Sequence, residues 1–342
     1  MIKVEETLMY CEAADSAACV ARQLVANEDR VRRLADDLRA HPPAFIVTCA
    51  RGSSDSAATF AKYIFETELG IVVSSAAPSV QSVYGARLKL AGALVLMISQ
   101  SGRSPDLVQF AKSARRAGAR VVALVNAEQS PLSRIAHYDL PLHAGVEEGI
   151  AATKSYICSL AALLGIAAAW KADLEMQSAV ADLPALLQGA WELDWSRAAE
   201  RLHDVASMFV IGRGPGYAVA LEAALKLKET SGIHAEAFSA AEVRHGPMAV
   251  VRRDFPVLCF SLNDVSRAGV HELAREFRDK GAKVLEIPGV GADGLPAVIS
   301  SYPPCTAVGL IQSFYRMANA LAVRRGRDPD RPPNLIKVTE TL

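Results

Sequence analysis

Cysteine is sparse and unpaired: the six residues Cys11, Cys19, Cys49, Cys158, Cys259 and Cys305 are scattered with no CxxC spacing. That excludes a disulfide framework and a zinc knuckle, and leaves reduced thiols in a cytoplasmic protein as the reading. Charge of one sign is missing as well. Lysine plus arginine equals aspartate plus glutamate, 37 against 37, so no basic excess is present to hold a nucleic-acid backbone. No apolar run spans a bilayer; the longest, Leu160 to Trp170, is too short. The acidic start MIKVEETLMYCEAADS has no signal-peptide core. GxxxxGK[ST] does not occur, and GRGPGY fails as a GxGxxG fingerprint because Tyr217 stands where the third glycine after Gly212 and Gly214 belongs. The expectations are therefore no membrane, no nucleic acid, no nucleotide cofactor and no metal.

What is present is a repeating strand-turn-helix rhythm. Residues 9–40 have helical apolar spacing, ended by His41-Pro42-Pro43. From Ala44, buried-strand runs (AFIVTCA, IVVSSAA, ALVLMIS, ARVVALV) alternate with amphipathic helices, and an alanine-rich buried helix covers about 152–170. Such alternation predicts a parallel sheet covered on both faces. The rhythm then recurs. MFVIGRGPGYAVALEAALKLKET parallels AFIVTCARGSSDSAATFAKYIFET, and FPVLCFSLNDVSRAGVHELAREFRDKGAKVLEIPG parallels ALVLMISQSGRSPDLVQFAKSARRAGARVVALVN. Arg213 follows Arg51 by 162 positions and Gly281 follows Gly118 by 163. A near-constant offset implies a duplicated domain. The predicted fold is α/β: two tandem doubly wound parallel-sheet lobes, each a three-layer α/β/α unit. The expected organisation is an N-terminal helical segment 1–43, a first lobe 44–175, a linker 176–197, a second lobe 198–326 and an extended tail 327–342.

Open parallel sheets bind ligands beyond the carboxyl ends of their strands. In the first lobe those turns carry Ser53, Ser54 and Ser56, and then Ser99, Gln100, Ser101 and Ser104, each set directly before a helix. Helix N-termini with flanking hydroxyls cradle a phosphate without needing a lysine. Ordinary N-capping is the competing explanation for a single turn, but the second lobe's matching turns, RGPGY and SLNDVS, have far fewer hydroxyls. That asymmetry places the phosphate in the first lobe. The second lobe instead carries a dense polar stretch that includes Lys226, Lys228, Glu229, His234, Glu236, Glu242, Arg244 and His245. A carboxylate and an imidazole suit proton movement between neighbouring carbons and a ring oxygen. A solvated Lys226–Glu229 pair and a packed His245 are the plainer alternatives. Glu242 and His245 lack a third ligand at metal-binding spacing.

At these residues the sequence resembles the sugar isomerase (SIS) domain proteins, and specifically the isomerase half of glutamine–fructose-6-phosphate amidotransferase. The resemblance runs through SQSGRSPD, GIAATKSY, ALEAALKLKETSGIHAEAFSAAEVRHGPMAVV and the terminal NLIK. Stand-alone deaminases of glucosamine 6-phosphate on this fold resemble it further in RGSSD, APSVQSVYG and VTET. The resemblance implies phosphate binding by Ser54, Ser99, Gln100, Ser101 and Ser104, and C1–C2 proton transfer by Glu229. It implies ring opening by His245 supplied from a neighbouring subunit, hence a homodimer. It also implies a Schiff-base-capable Lys337, with Lys226 and the backbone around Ile150 lining the sugar. Two positions depart from the amidotransferase, Ala152 for a serine and Glu148 for an apolar residue. So does the start of the chain, where Ile2 stands instead of a nucleophilic cysteine. The expected reaction is therefore release: glucosamine 6-phosphate to fructose 6-phosphate and ammonia, without cofactor or metal. Alternatives of the same fold are a ketose/aldose isomerase, a deglycase, an aminotransferase, a synthase fed ammonia by a partner, and a non-catalytic sugar-phosphate sensor.

Overall fold

A computed structural model describes residues 2–337 apart from Val290 and the side chain of Ala292; the end of the expected tail, 338–342 with its VTET, lies outside the described residues. Two compact units form. One comprises Ala18–Glu147, Lys154–Ala181 and Ile336–Leu342; the other comprises Met1–Ala17, Glu148–Thr153 and Asp182–Leu335. They are called the first-sheet and second-sheet units below.

The N-terminal run read as one helix is two, α1 (Leu8–Ala14) and α2 (Ser16–Ala40), separated at Asp15. The first sheet follows, with β1 (Phe45–Cys49), α3 (Ser53–Leu69), β2 (Val73–Ser75), the short α4 (Ser79–Ser82), β3 (Ala93–Ser99), α5 (Pro105–Arg116), β4 (Arg120–Val125), α6 (Pro131–Ile135) and β5 (Tyr138–Pro141). Helices α7 (Lys154–Lys171), α8 (Leu174–Ala181), α9 (Leu183–Glu192) and α10 (Ser196–Arg201) lead to the second sheet. That sheet is built from β6 (Ser207–Gly212), α11 (Pro215–Ser231), β7 (His234–Ser239), β8 (Pro256–Phe260), α12 (Arg267–Asp279) and β9 (Lys283–Ile287), with α13 (Pro303–Arg324) after it.

Both sheets are parallel throughout, in the orders β2-β1-β3-β4-β5 and β7-β6-β8-β9. The second order is the first with its final strand missing, which is the duplication made visible. The glycines repeat it: Gly52 and Gly214 enter α3 and α11 at φ 55° and 59°, and Gly70 and Gly232 end them in the left-handed region. A side chain on any of the four would be held in a conformation that favours glycine.

Strand β3 is buried along its whole length, as a central parallel strand with helices on both faces must be. Its alternate residues Val95 and Met97 join Val47, Val121, Phe110 and Leu107 in one apolar cluster. The second sheet has a matching cluster around Phe209, Ile211, Val257, Leu273 and Phe277. The cysteines are free thiols, five of them buried, and burial pushes Cys49 and Cys305 up to about 12. Two strands escape the sequence pattern. YDLP (β5) and HAEAFS (β7) are edge strands with polar, partly exposed residues, so neither shows an apolar run.

At the amino end of β4, the backbone N–H of Val121 donates to His137 Nδ1 at 3.0 Å, so that nitrogen is held without a proton. Burial, and then Arg115 and Arg120, lower the His137 pKa below its ordinary value. The unfolded chain therefore takes up this proton first as pH falls. The contribution is complete above the unfolded value of about 6.5 and is lost as pH falls towards the folded one. Thermal unfolding followed from pH 7 to 5 is expected to show a shallower loss of Tm in His137→Asn than in the parent protein.

Candidate active site

The phosphate-type turns lie in the first-sheet unit, at the carboxyl ends of β1 and β3. Ordinary capping does not account for their serines. The residue before α3 is Gly52, which has no side chain, so Ser54 sits inside the first turn. Ser104 precedes α5, yet its hydroxyl makes no capping bond. By contrast, Thr7 and Ser130 do cap α1 and α6 by accepting from Tyr10 N and Ser133 N. Ser99 Oγ accepts from Gly102 N at 3.0 Å and Ser101 Oγ from Arg103 N at 3.3 Å, which folds the turn back on itself. Gly102 has φ 61°, and a Cβ there would lie 2.7 Å from Ser130 Cβ and Val125 Cγ1. The carbonyl of Gln100 accepts from Ala127 N. The turn is thus fixed by its neighbours, with backbone N–H groups and hydroxyls gathered at two helix starts.

An ion pair that sequence reasoning missed ties these turns together. Arg51, after β1, donates to Asp106 Oδ2 at 2.7 and 3.2 Å, while Asp106 Oδ1 accepts from Leu107 N at the start of α5. Asp106 is wholly buried and Arg51 half exposed. The pairing joins residues 55 apart, which local pattern cannot reveal, although both flank motifs that stood out.

Lys337 is in this unit too, and it is not a loose tail lysine. Its Nζ lies 3.8 Å from Glu147 Oε2. Glu147 is buried, and its two oxygens accept from Ser155 N at 3.1 Å and Ser155 Oγ at 2.6 Å. Ser155 belongs to the GIAATKSY stretch, so that motif and the NLIK motif meet through Glu147.

In the second-sheet unit, Glu222, Lys226 and Glu229 occupy one face of α11 at helical spacing. Lys226 Nζ is 2.5 Å from Glu229 Oε2 and 3.6 Å from Glu222 Oε1, and Glu222 also accepts from Tyr315 Oη on α13 at 3.0 Å. Lys226 and Glu222 have no exposed side-chain surface, whereas Glu229 keeps 19%. The solvated-pair alternative for Lys226 is therefore wrong: this ammonium is buried. The duplication gives the comparison. Subtracting 162 puts Phe60, Ile64 and Thr67 at these positions, and Phe60 and Ile64 are plain core. One copy fills the face with hydrocarbon; the other fills it with charge and leaves a carboxylate at the rim.

His245 ends a short 3-10 turn, Glu242–His245, and is exposed. Among the described residues its imidazole has no hydrogen-bond or ion-pair partner. Its neighbour Arg244 is spent on Glu272 and Glu276 of α12. His234 and Glu236 are exposed positions on β7, and Ile150 is half-buried. In this unit's own equivalent of the phosphate turn, Leu262, Asn263 and Asp264 stand where Gln100, Ser101 and Gly102 do, with Asp264 Oδ1 accepting from Ser266 N and Oγ. An acid there repels phosphate, which agrees with a cradle in the first sheet alone.

Comparison with known proteins follows the same division. The model of the SIS domain matches residues 44–169 and 201–294, and the chain belongs to that family. It is 32% identical over 327 residues to glutamine–fructose-6-phosphate aminotransferase [isomerizing] of Tropheryma whipplei (strain TW08/27), covering 88% of this chain and 52% of that protein. The chain thus spans about half the length of such relatives. A solved structure from Silicibacter pomeroyi DSS-3, named provisionally as a phosphosugar isomerase, superposes with TM-score 0.90 at 42% identity, over 95% of this chain and 100% of that one. Glucosamine-6-phosphate deaminase of Thermotoga maritima shares the fold at TM-score 0.79 and 23% identity, over 98% and 100% of the two chains.

The buried Lys226 carries a direct consequence. Replacing it by methionine leaves Glu222 without its cation in a site closed to water. Breaking a buried pair on one side typically destabilises by about 3–5 kcal/mol. Urea unfolding of Lys226→Met should show a loss of that order, and Glu222→Gln in the same chain should restore a substantial part of it. An unchanged midpoint in the single variant would mean that the cluster is already neutral.

Proposed function

We propose that the protein is a phosphosugar isomerase-type enzyme whose reaction is the deamination of glucosamine 6-phosphate to fructose 6-phosphate and ammonia. The observation that carries the reading is the Glu229 carboxylate at the open edge of α11, fixed through one oxygen by buried Lys226. A base must be rigid, reachable and charged, and this carboxylate meets all three requirements. The names of the relatives, an isomerising aminotransferase and a phosphosugar isomerase, support a C1–C2 reaction on a sugar phosphate.

In this reading the hydroxyls of Ser54, Ser99, Ser101 and Ser104, the amide of Gln100 and the helix-start N–H groups hold the phosphate. His245 moves the proton between the ring oxygen and the C1 hydroxyl as the ring opens. Glu229 takes the C2 proton and returns it to C1, which turns the C2 amine into an imine. Water then adds at C2 and ammonia leaves, so one water is consumed for each ammonia released. The backbone at Ile150 lines the sugar, whereas Lys226, expected there from the sequence, has no exposed surface and instead holds Glu229 from behind. Because Lys337 pairs with Glu147, it acts as a cation beside developing oxygen charge rather than as a Schiff-base amine. The exposure of His245 without a partner supports its donation to the site of a second copy in a homodimer.

The second reading is interconversion of neutral ketose and aldose phosphates, which needs the same Glu229 transfer and no amine. An ammonia assay across hexosamine 6-phosphates, beside an isomerase assay on neutral hexose 6-phosphates, separates the two. Ammonia release from glucosamine 6-phosphate is expected. Glu229→Gln should lower kcat by ~10²–10⁴-fold, with phosphate-dependent binding retained. Mixing that chain with His245→Ala should restore part of the activity, since one site of the mixed dimer holds both residues. Turnover of neutral sugars with every hexosamine phosphate untouched would replace the deaminase reading with the isomerase one.

A further inference from the structure

We propose that α1, which lies outside the matched SIS segments, is a positioning clamp for the substrate site, holding the backbone that presents Ile150 and the tail that leads to Lys337. The inference rests on the functional reading above for the roles of Ile150 and Lys337. Its geometry stands within the second-sheet unit.

The carboxylate of Glu12 is the first half of the clamp. It is nine-tenths buried and accepts from two successive backbone N–H groups. Glu148 N lies 2.5 Å from Oε1, and Gly149 N lies 3.2 Å from Oε1 and 3.3 Å from Oε2. Charged acceptors make the stronger class of hydrogen bond, and two consecutive peptide planes held by one carboxylate have little freedom left. The fit is close. A Cβ at Gly149 would approach Glu12 Oε2 to 2.8 Å, so a side chain there would push the carboxylate out of its present position. Ile150 is the next residue.

The start of the same helix is the second half. Leu8 N and Met9 N, which have no partner within a helix of this length, donate to Asp330 Oδ2 at 2.7 Å and Oδ1 at 2.8 Å. Asp330 is seven residues before Lys337 in the tail. The helix is itself seated firmly: Met9 and Ala13 are buried, Gln312 of α13 donates to Ala13 O at 2.9 Å, and Thr7 donates to Asn319 Oδ1 at 2.8 Å. One short helix thus fixes two segments that the sequence keeps about 180 residues apart. Glu12, Gly149 and Asp330 touch no reacting group and are positioning residues.

Hydrogen exchange and steady-state kinetics on the full chain test this together. In Glu12→Gln, amide exchange in the 145–153 segment should rise about tenfold while β3 exchanges as before. The KM for glucosamine 6-phosphate should rise about tenfold with the smaller change in kcat. In Asp330→Asn, exchange should rise in 328–337 and not in 145–153. Lys3→Gln, which removes only an exposed pair with Glu6, should match the parent in both measurements. Parent-like exchange and KM in Glu12→Gln would overturn the clamp. If the parent protein turns over no amino-sugar phosphate, the functional reading fails instead, and exchange in the two segments alone decides whether α1 holds them.

Discussion

The ammonium of Lys226, closed from water between Glu222 and Glu229, is the interaction on which the account of this protein turns. Burying one cation and one acid completely is expensive unless each has its partners, and replacing such a cluster with hydrocarbon is often neutral or stabilising. The protein contains that replacement in its other half, where Phe60 and Ile64 hold the equivalent positions of α3. The fold therefore does not require the charges on α11. What they provide is a carboxylate, Glu229, whose position is set by a fixed cation and whose remaining surface faces outward. Tyr315 completes the arrangement from α13 by donating to Glu222.

Duplication gave two copies of one sheet-and-helix plan, and the copies then specialised in opposite directions. The first-sheet copy keeps serines and tight glycine turns at the strand ends, with Arg51 and Asp106 bracing the two helix starts. The second-sheet copy has Asn263 and Asp264 where the first has Ser101 and Gly102, so an acid stands in that turn. Its long helix took up charge instead. A phosphorylated substrate processed by proton transfer needs one of each. Fixed binding on a non-reacting phosphate supplies orientation, and a positioned base supplies the chemistry.

Much of this was legible in the sequence because parallel sheets write themselves plainly. Strand β3 is an unbroken apolar run, and Gly118 and Gly281 mark matching turns 163 residues apart. The serines of SQSGRSPD and the LKLKE sequence marked the candidate site residues. The failures have physical causes. Edge strands β5 and β7 bury too little to show a pattern, so HAEAFS read as a polar stretch. The break at Asp15 leaves the helical period nearly intact, so α1 and α2 read as one. Partnerships between distant residues, Arg51 with Asp106, Glu147 with Lys337, Glu12 with Glu148 and Gly149, depend on how the chain closes and leave no local signal. For Glu222, an acid amid the alanines of α11, spacing to Lys226 was the signal available.

The central claim is that Glu229, held by Lys226, carries the proton between C2 and C1. Mass spectrometry of fructose 6-phosphate formed from glucosamine 6-phosphate deuterated at C2 tests it most directly. The account predicts that part of the deuterium appears at C1 in the parent protein, and that Glu229→Gln loses both turnover and transfer. Undiminished turnover in Glu229→Gln, with deuterium arriving at C1 as before, would contradict it.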